Sequence, residues 1–249
     1  MLLSIFIVLF VSVLMLQQLN EGGNGFGRFQ ASLINLLLFL FPLFILTIGS
    51  MSVAADYESG WYTLLRTYPV SIKRYLFSKY FALCTVFLFA LGITEAIVLI
   101  VGAFFGGVVV DAQFLLLSVV IIFIVSALSI MIGAFSIHRL HALGLSLGVW
   151  AVLTLLSSYI VMAVGTVISK GLYEKVIYAH VHLNVMEWLR YVYLIQIEQT
   201  GILGKSFYYL TQFYESSFGI VVLIGVTLLW FVIPMLVAHL QLKRREGKQ

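Results

Sequence analysis

The chain has 249 residues, of which 62% are hydrophobic and only 10% are charged, and its mean hydropathy is +1.11. An ordinary soluble domain carries about 25% charged residues, so this composition excludes a soluble protein. The formal net charge of +4 comes from few groups and is not the footprint of a nucleic-acid-binding protein. Because unpaired backbone amides are costly in hydrocarbon, the long unbroken apolar runs predict transmembrane helices.

Six apolar stretches are long enough to cross a bilayer. In chain order they cover residues 1 to 19, 31 to 54, 76 to 106, 112 to 137, 142 to 168 and 218 to 240. The first stretch lacks the basic start and short apolar core of a signal peptide, so we interpret it as a retained helix. The sequence therefore predicts an all-α integral membrane protein, in which residues 1 to 249 form a single transmembrane domain.

The positions of lysine and arginine predict the orientation of these helices, because short loops rich in them stay in the cytoplasm. With the N-terminus in the cytoplasm, nine of the fourteen basic residues fall on the inner side: Arg66, Lys73, Arg74, Lys79, Arg139, Lys243, Arg244, Arg245 and Lys248. Both termini are therefore expected in the cytoplasm, and residues 55 to 72 form a cytoplasmic segment. Residues 169 to 217 form a long extracytoplasmic loop, in which near-helical spacing over residues 181 to 195 predicts a membrane-surface or gate helix.

The cytoplasmic segment has the pattern of a docking helix. Gly60 precedes it, and Trp61, Leu64 and Leu65 fall on one helical face. Pro69 ends it, because the residue before a proline disfavours helix. Such a helix presents an apolar stripe to a partner while its charges stay in water. The alternative is a charged loop that only follows the distribution of basic residues, but such a loop does not need Gly, Leu-Leu and Pro-Val-Ser in that order.

This segment resembles the coupling helix of the ABC-2 permease family. The resemblance rests on an acidic residue, a Gly-x-x-Thr-Leu-Leu sequence, a Pro-Val-Ser turn and a Tyr-Leu-x-x-Lys sequence before the third stretch. It implies the permease subunit of an ATP-binding cassette transporter, whose coupling helix contacts a separate ATPase. The residues that it assigns to coupling are Glu58, Gly60, Thr63, Leu64, Leu65, Arg66 and Pro69, of which Glu58, Leu64, Leu65 and Arg66 would face the ATPase.

The partners follow from the same resemblance. The chain contains no Gly-x-x-x-x-Gly-Lys-Ser/Thr phosphate loop, so ATP hydrolysis belongs to a partner chain and this chain is not expected to be an enzyme. The resemblance implies a permease homodimer with two ATPase subunits in a bacterial or archaeal cytoplasmic membrane. ATP and Mg are expected on the ATPase, and no cofactor is expected on this chain.

A narrower resemblance concerns the biological role. Residues 64 to 71 and residues 144 to 150 resemble the NosY-like permeases of nitrous oxide reductase maturation. That likeness implies a role in maturing a copper enzyme and an extracytoplasmic partner on the outer loop. The alternative within the same architecture is export of a lipid, peptide, antibiotic or polysaccharide. An alternative of another class is a membrane-embedded enzyme with Ser146 or Glu95 as its reactive group.

Glu95 is an intramembrane polar residue, well inside the third apolar stretch. An ionisable group at that depth is costly, so it is expected to face the bundle interior or a cavity. It either belongs to a translocation path or dimer seam, or holds two helices together by a hydrogen bond.

Two other patterns suggest chemistry less strongly. Ser146 lies in a Gly-x-Ser-x-Gly sequence, but the strand and strained turn of a nucleophile elbow are missing, which favours helix packing. The pairs His138 with His141 and His180 with His182 lack a third ligand nearby in sequence. We therefore predict no metal site.

Overall fold

The computed structural model describes residues 25–65, 67–104, 112–197 and 207–246, and all regular structure in these ranges is helical. In chain order the helices are α1 (Gly25–Glu58), α2 (Trp61–Leu65), α3 (Ile72–Phe104), α4 (Ala112–Phe135), α5 (Arg139–Ala151), a π-helical turn (Val152–Leu156), α6 (Ser157–Gly165), α7 (Lys170–Leu183), α8 (Val185–Gln196), α9 (Tyr208–Glu215) and α10 (Ser217–Glu246).

Five helical segments of the described ranges are long and apolar enough to cross a membrane. They correspond to the second to sixth predicted stretches, and the first predicted stretch lies outside the described residues. The helix α5, the π-helical turn and α6 together form one of these spans. The five spans are Ile34–Glu58, Ile72–Ile97, Ala112–Phe135, Arg139–Gly165 and Ser217–Arg245.

The helix α4 lies at the centre of the bundle and packs against α1, α3, α5, α8 and α10. It is apolar all round and is buried along most of its length, as expected for a central helix. Its contact with α1 is close because small residues face each other. A methyl group added at Gly49 would overlap the side chain of Ser129, and one added at Gly133 would lie 2.6 Å from the Val53 Cβ.

The segment after α6, in which the sequence predicts one membrane-surface or gate helix, contains two helices, α7 and α8. They meet at Asn184, and we call them the hairpin. The helix α8 is largely buried in the protein, because Val185, Met186, Leu189 and Tyr193 join the main core, and Trp188 and Tyr191 form a second cluster with residues of α9 and α10. Its buried residues are Val185, Met186, Trp188, Leu189, Tyr191, Tyr193 and Leu194.

Candidate functional site

The short helix α2 is set apart from α1 by a turn at Gly60. The backbone φ of Gly60 is +72°, a left-handed conformation that residues with a Cβ rarely adopt. The Leu64 amide donates to the Gly60 carbonyl at 3.1 Å, so the turn opens directly into the helix. Thr67 closes it, because its hydroxyl donates to the Leu64 carbonyl at 2.8 Å. Pro69 follows and prevents the helix from continuing.

Large apolar side chains of this segment are exposed. Trp61 is 51% exposed, Leu64 is 52% exposed and Tyr68 is 62% exposed. We call these three residues the α2 face. The end of the bundle that carries them is the α2 end.

The opposite side of α2 is anchored by a cluster of tyrosines. Tyr62 is buried, and its ring lies 4.6 Å from that of Tyr57 on α1 and 5.1 Å from that of Tyr75 on α3. The Tyr75 hydroxyl donates to the Asp56 carboxylate at 2.8 Å, and Lys79 forms an ion pair with the same carboxylate oxygen at 2.8 Å. These contacts fix α2 to both of its flanking helices.

The last helix also reaches this cluster. The guanidinium of Arg245 on α10 lies 5.0 Å from the centre of the Tyr57 ring, within the range of a cation–π contact. The same side chain donates to the Ser136 carbonyl at 2.9 Å, just after α4 ends. The α2 end therefore joins α1, α3, α4 and α10.

Glu58 has a partner within the chain. Its Oε2 accepts from the backbone amide of Arg139 at 3.0 Å and lies 3.6 Å from the Arg139 Nε. Arg139 is the first residue of α5, so the carboxylate sits at the positive end of that helix. The contact ties the end of α1 to the start of α5, in the span Arg139–Gly165.

The residues that the resemblance assigned to coupling occupy different positions around α2. Leu64 and Thr63 are exposed, whereas Leu65 packs partly against the core. Gly60 forms the turn, Pro69 is exposed after the helix, and Glu58 contacts Arg139. Arg66 lies outside the described residues. The tyrosines near both ends of the segment were a signal in the sequence for the residues that anchor α2. Sequence reasoning nevertheless missed these anchoring residues, which are Tyr57, Tyr62, Tyr75, Arg139 and Arg245.

Glu95 is buried in α3, with 7% of its surface exposed. Its Oε2 has no hydrogen-bond partner within the part of the chain that the structure describes. The neighbouring Thr94 donates to the Ala90 carbonyl of its own helix at 2.8 Å. A buried carboxyl oxygen with a free acceptor position fits either role that the sequence suggested, a polar path or a helix contact.

Ser146 joins two helices. Its hydroxyl is buried, lies 2.5 Å from the Ser50 hydroxyl, and is within 3.1 Å of the Leu46 carbonyl on α1. Ser146 lies inside α5 rather than at a turn between a strand and a helix. This geometry is that of a polar contact between membrane helices.

The histidines of the two predicted pairs differ in their contacts, and the Nε2 of His180 has no hydrogen-bond partner within the described residues. The Nδ1 of His138 accepts from the His141 amide at 3.1 Å, which caps α5, and the Nδ1 of His141 accepts from the Ile137 amide at 3.3 Å. His182 donates from Nδ1 to the Tyr178 carbonyl at 2.6 Å, so its Nε2 accepts from the Tyr214 hydroxyl. Burial lowers the pKa of His180. In the described ranges no three His, Cys, Asp or Glu side chains form a group that could hold a metal ion.

The described residues form a helical bundle with five candidate membrane spans and an exposed apolar face at one end. A family model described as ABC-2 family transporter protein matches residues 2–246. The chain belongs to the ABC-2 transporter family, whose members are the membrane subunits of ATP-binding cassette transporters. No curated protein gives a significant match to the chain.

Proposed function

We propose that this chain is the permease that converts ATP hydrolysis by a separate ATPase into movement of a membrane helix bundle, and that α2 is the coupling helix. The observation that carries this proposal is the α2 face. Trp61, Leu64 and Tyr68 expose large apolar surfaces at the end of the bundle, where a partner can bury them. An exposed apolar patch of this kind is typical of a protein-binding surface.

The anchoring of α2 supports a mechanical role. A push on the α2 face acts on Tyr62, whose ring contacts both Tyr57 and Tyr75. The buried aromatic contacts and the contacts of Asp56 with Tyr75 and Lys79 are closely packed. Because close packing transmits displacement, α1 and α3 follow the movement of α2. Arg245 extends the same contact to α10. The proposed power stroke is thus a rigid displacement of these helices rather than a bending of a loop.

The proposed assembly is a homodimer of this permease with two ATPase subunits, which bind ATP and Mg. Both termini and α2 are placed in the cytoplasm of a bacterial or archaeal cell, since most basic residues lie on that side of the predicted topology. In this arrangement residues 55 to 72 form the coupling segment, and residues 169 to 217 face the other side of the membrane.

The cargo is proposed on the sequence resemblance alone. The sequences of residues 64 to 71 and 144 to 150 support a NosY-like role in copper-enzyme maturation, with an extracytoplasmic partner on residues 169 to 217. Exposed aromatic residues such as Tyr208 and Tyr209 offer that partner a contact surface. Export of a lipid, peptide, antibiotic or polysaccharide is the second candidate. A copper reductase encoded nearby favours the first role, and a biosynthetic cluster favours the second.

The docking proposal is tested by co-expression with the ATPase encoded beside this chain and purification through a tag on the permease. Trp61→Asp and Leu64→Asp place charges on the α2 face and should remove the ATPase from the purified complex. Leu172→Asp is the matched control, because Leu172 lies on α7 and is 51% exposed, almost the same fraction as Leu64. It should retain the ATPase.

Equal recovery of the ATPase with all three variants would place the docking surface elsewhere and overturn the proposal. Loss of the ATPase from all three would indicate a general defect, which is checked by comparing membrane insertion and the elution volume of the free permease. Only selective loss with the α2 variants supports the coupling helix.

A further inference from the structure

The hairpin contacts the span Arg139–Gly165, the fourth of the five spans in the described ranges, which we call the fourth span. The contact lies where this span departs from α-helical geometry. Val152–Leu156 forms a π-helical turn, and the Ser157 amide donates to the Val152 carbonyl, five residues back. In an α-helix that amide would donate to Leu153. The π-helical turn therefore leaves the Leu153 carbonyl without its usual backbone partner.

Two side chains satisfy this released carbonyl. The Asn184 Nδ2 donates to it at 2.7 Å, and the Ser157 hydroxyl donates to it at 3.0 Å. The Nδ2 of Asn184 also donates to the Ser157 hydroxyl at 2.7 Å. Leu153 lies near the middle of the span Arg139–Gly165, where water does not replace a lost partner. Each of these hydrogen bonds therefore matters more than one at a surface.

Asn184 is at the same time the residue on which the hairpin turns. It is 3% exposed, and its Oδ1 accepts from the Met186 amide at 2.9 Å, which caps the start of α8. Its backbone amide donates to the His180 carbonyl at 2.9 Å at the end of α7. One side chain thus shapes the hairpin with its oxygen and binds the span with its nitrogen.

We propose that Asn184 is a positioning residue that couples the place of the hairpin to the helical register of the fourth span. When the hairpin is docked, Asn184 stabilises the π-helical register through the Leu153 carbonyl. When the span is in α-helical register, the Ser157 amide takes one of the two acceptor positions of that carbonyl, so Asn184 and the Ser157 hydroxyl compete for the other. The two states are therefore linked in both directions, as thermodynamic coupling requires.

This coupling is a property of the permease alone and does not depend on the proposed ATPase. In a transport cycle it would let a change at one end of the span release or recapture the hairpin, because a π-helical turn differs from α-helix by one inserted residue and is often found at functional sites. The linkage itself is testable without nucleotide.

The test measures the place of the hairpin by double electron–electron resonance in lipid nanodiscs. Spin labels are attached at Ala179→Cys on α7 and Leu240→Cys on α10, two exposed positions, after Cys84→Ser removes the single native cysteine. Asn184→Asp keeps the oxygen that caps α8 and, measured at high pH where the carboxyl is ionised, removes the donor to Leu153. The population of undocked hairpin should rise about tenfold, equivalent to about 1.4 kcal/mol.

The reciprocal variant alters only the span. Deletion of Leu155, an exposed residue of the π-helical turn, restores α-helical spacing and should displace the hairpin to the same second distance. Thr154→Val is the matched control, because the Thr154 hydroxyl donates at 2.7 Å to Trp150 of its own span and does not reach the hairpin. Its distance distribution should match that of the parent protein.

Identical distributions in the parent protein and in Asn184→Asp would overturn the coupling. So would a hairpin that stays in place when Leu155 is deleted. If the deletion prevents folding, Ser157→Ala replaces it, since that change removes both the second donor to Leu153 and an acceptor of Asn184. It should also raise the undocked population, and an unchanged distribution would again overturn the proposal.

Discussion

Tyr75 and Asp56 join the two spans on either side of α2, because the Tyr75 hydroxyl on α3 donates to the Asp56 carboxylate on α1 at 2.8 Å. Tyr75 is itself buried against Tyr62 of α2. A single side chain therefore contacts α2 with its ring and the preceding span with its hydroxyl.

Replacing Tyr75 with phenylalanine keeps the ring and removes this hydrogen bond. We expect a loss of about 1 to 2 kcal/mol in the free energy of unfolding, because the carboxylate of Asp56 loses a partner in a half-buried position. Thermal unfolding of the purified permease measures the effect. Tyr68→Phe is the control, since Tyr68 is exposed, and its midpoint should not change. Equal midpoints for both variants would contradict the prediction.

Glu58→Gln should separate docking from coupling. The Glu58 carboxylate binds Arg139, so it stabilises the junction with α5 and does not form part of the α2 face. The ATPase should therefore copurify, while stimulation of ATP hydrolysis by the permease falls. The static cost should be small, at most about 1 kcal/mol, because this ion pair is half exposed to solvent.

The reversed pair Glu58→Arg with Arg139→Glu checks that prediction. It should recover part of the stimulation lost in each single variant, because the attraction between the side chains is restored. The backbone hydrogen bond to the Arg139 amide is not restored, so recovery should be incomplete. If the ATPase dissociates from Glu58→Gln, then Glu58 belongs to the docking surface after all.

Gly49→Leu should be strongly destabilising. A Cβ at this position already overlaps Ser129, so the larger side chain would push α1 away from α4. Overpacking of this kind costs about 1 to 3 kcal/mol. Gly92→Leu is the matched control in α3, since nothing lies within 4 Å of a Cβ added there. Similar thermal midpoints for the two variants would show that the close contact of α1 and α4 is not required.

His180 should make stability depend on pH. Burial, the largest effect, lowers its pKa; Glu187 opposes this and Arg190 adds to it. The folded state therefore binds fewer protons than the unfolded state, whose histidine pKa is about 6.5. Stability should fall as the pH decreases below that value toward the folded pKa. His180→Gln should reduce the change of the thermal midpoint with pH between about pH 7 and pH 5. An unchanged pH profile would contradict this expectation.

The sequence predicted the spans well because their signal is local. Five of the six apolar stretches are spans in the described ranges, and the turn at Gly60 follows from the backbone freedom of glycine. The helix α2 ends at Leu65, earlier than the end at Pro69 that the sequence predicts. The contact of Glu58 with Arg139 was not predictable, because it joins residues 81 positions apart.

The hairpin shows why burial was harder to predict. Helices on a membrane surface and helices packed into a bundle share the same amphipathic pattern. Trp188 and Tyr191 looked suited to an interface, but the Trp188 indole donates to Thr227 on α10 at 3.0 Å, and the Tyr191 hydroxyl lies 3.4 Å from that of Thr211. These distant partners make burial possible. The Leu153 carbonyl in the π-helical turn likewise accepts from Asn184, 31 positions away.

The contact between Trp188 and Thr227 also constrains the order of assembly during synthesis. The hairpin leaves the ribosome before α10, yet the aromatic cluster around Trp188 is completed by residues of α10. Until that last helix is inserted, the Trp188 indole lacks its acceptor and the cluster lacks one wall. The hairpin can therefore reach its final place only after translation of the last span, so a nascent chain truncated before α10 would leave it unseated.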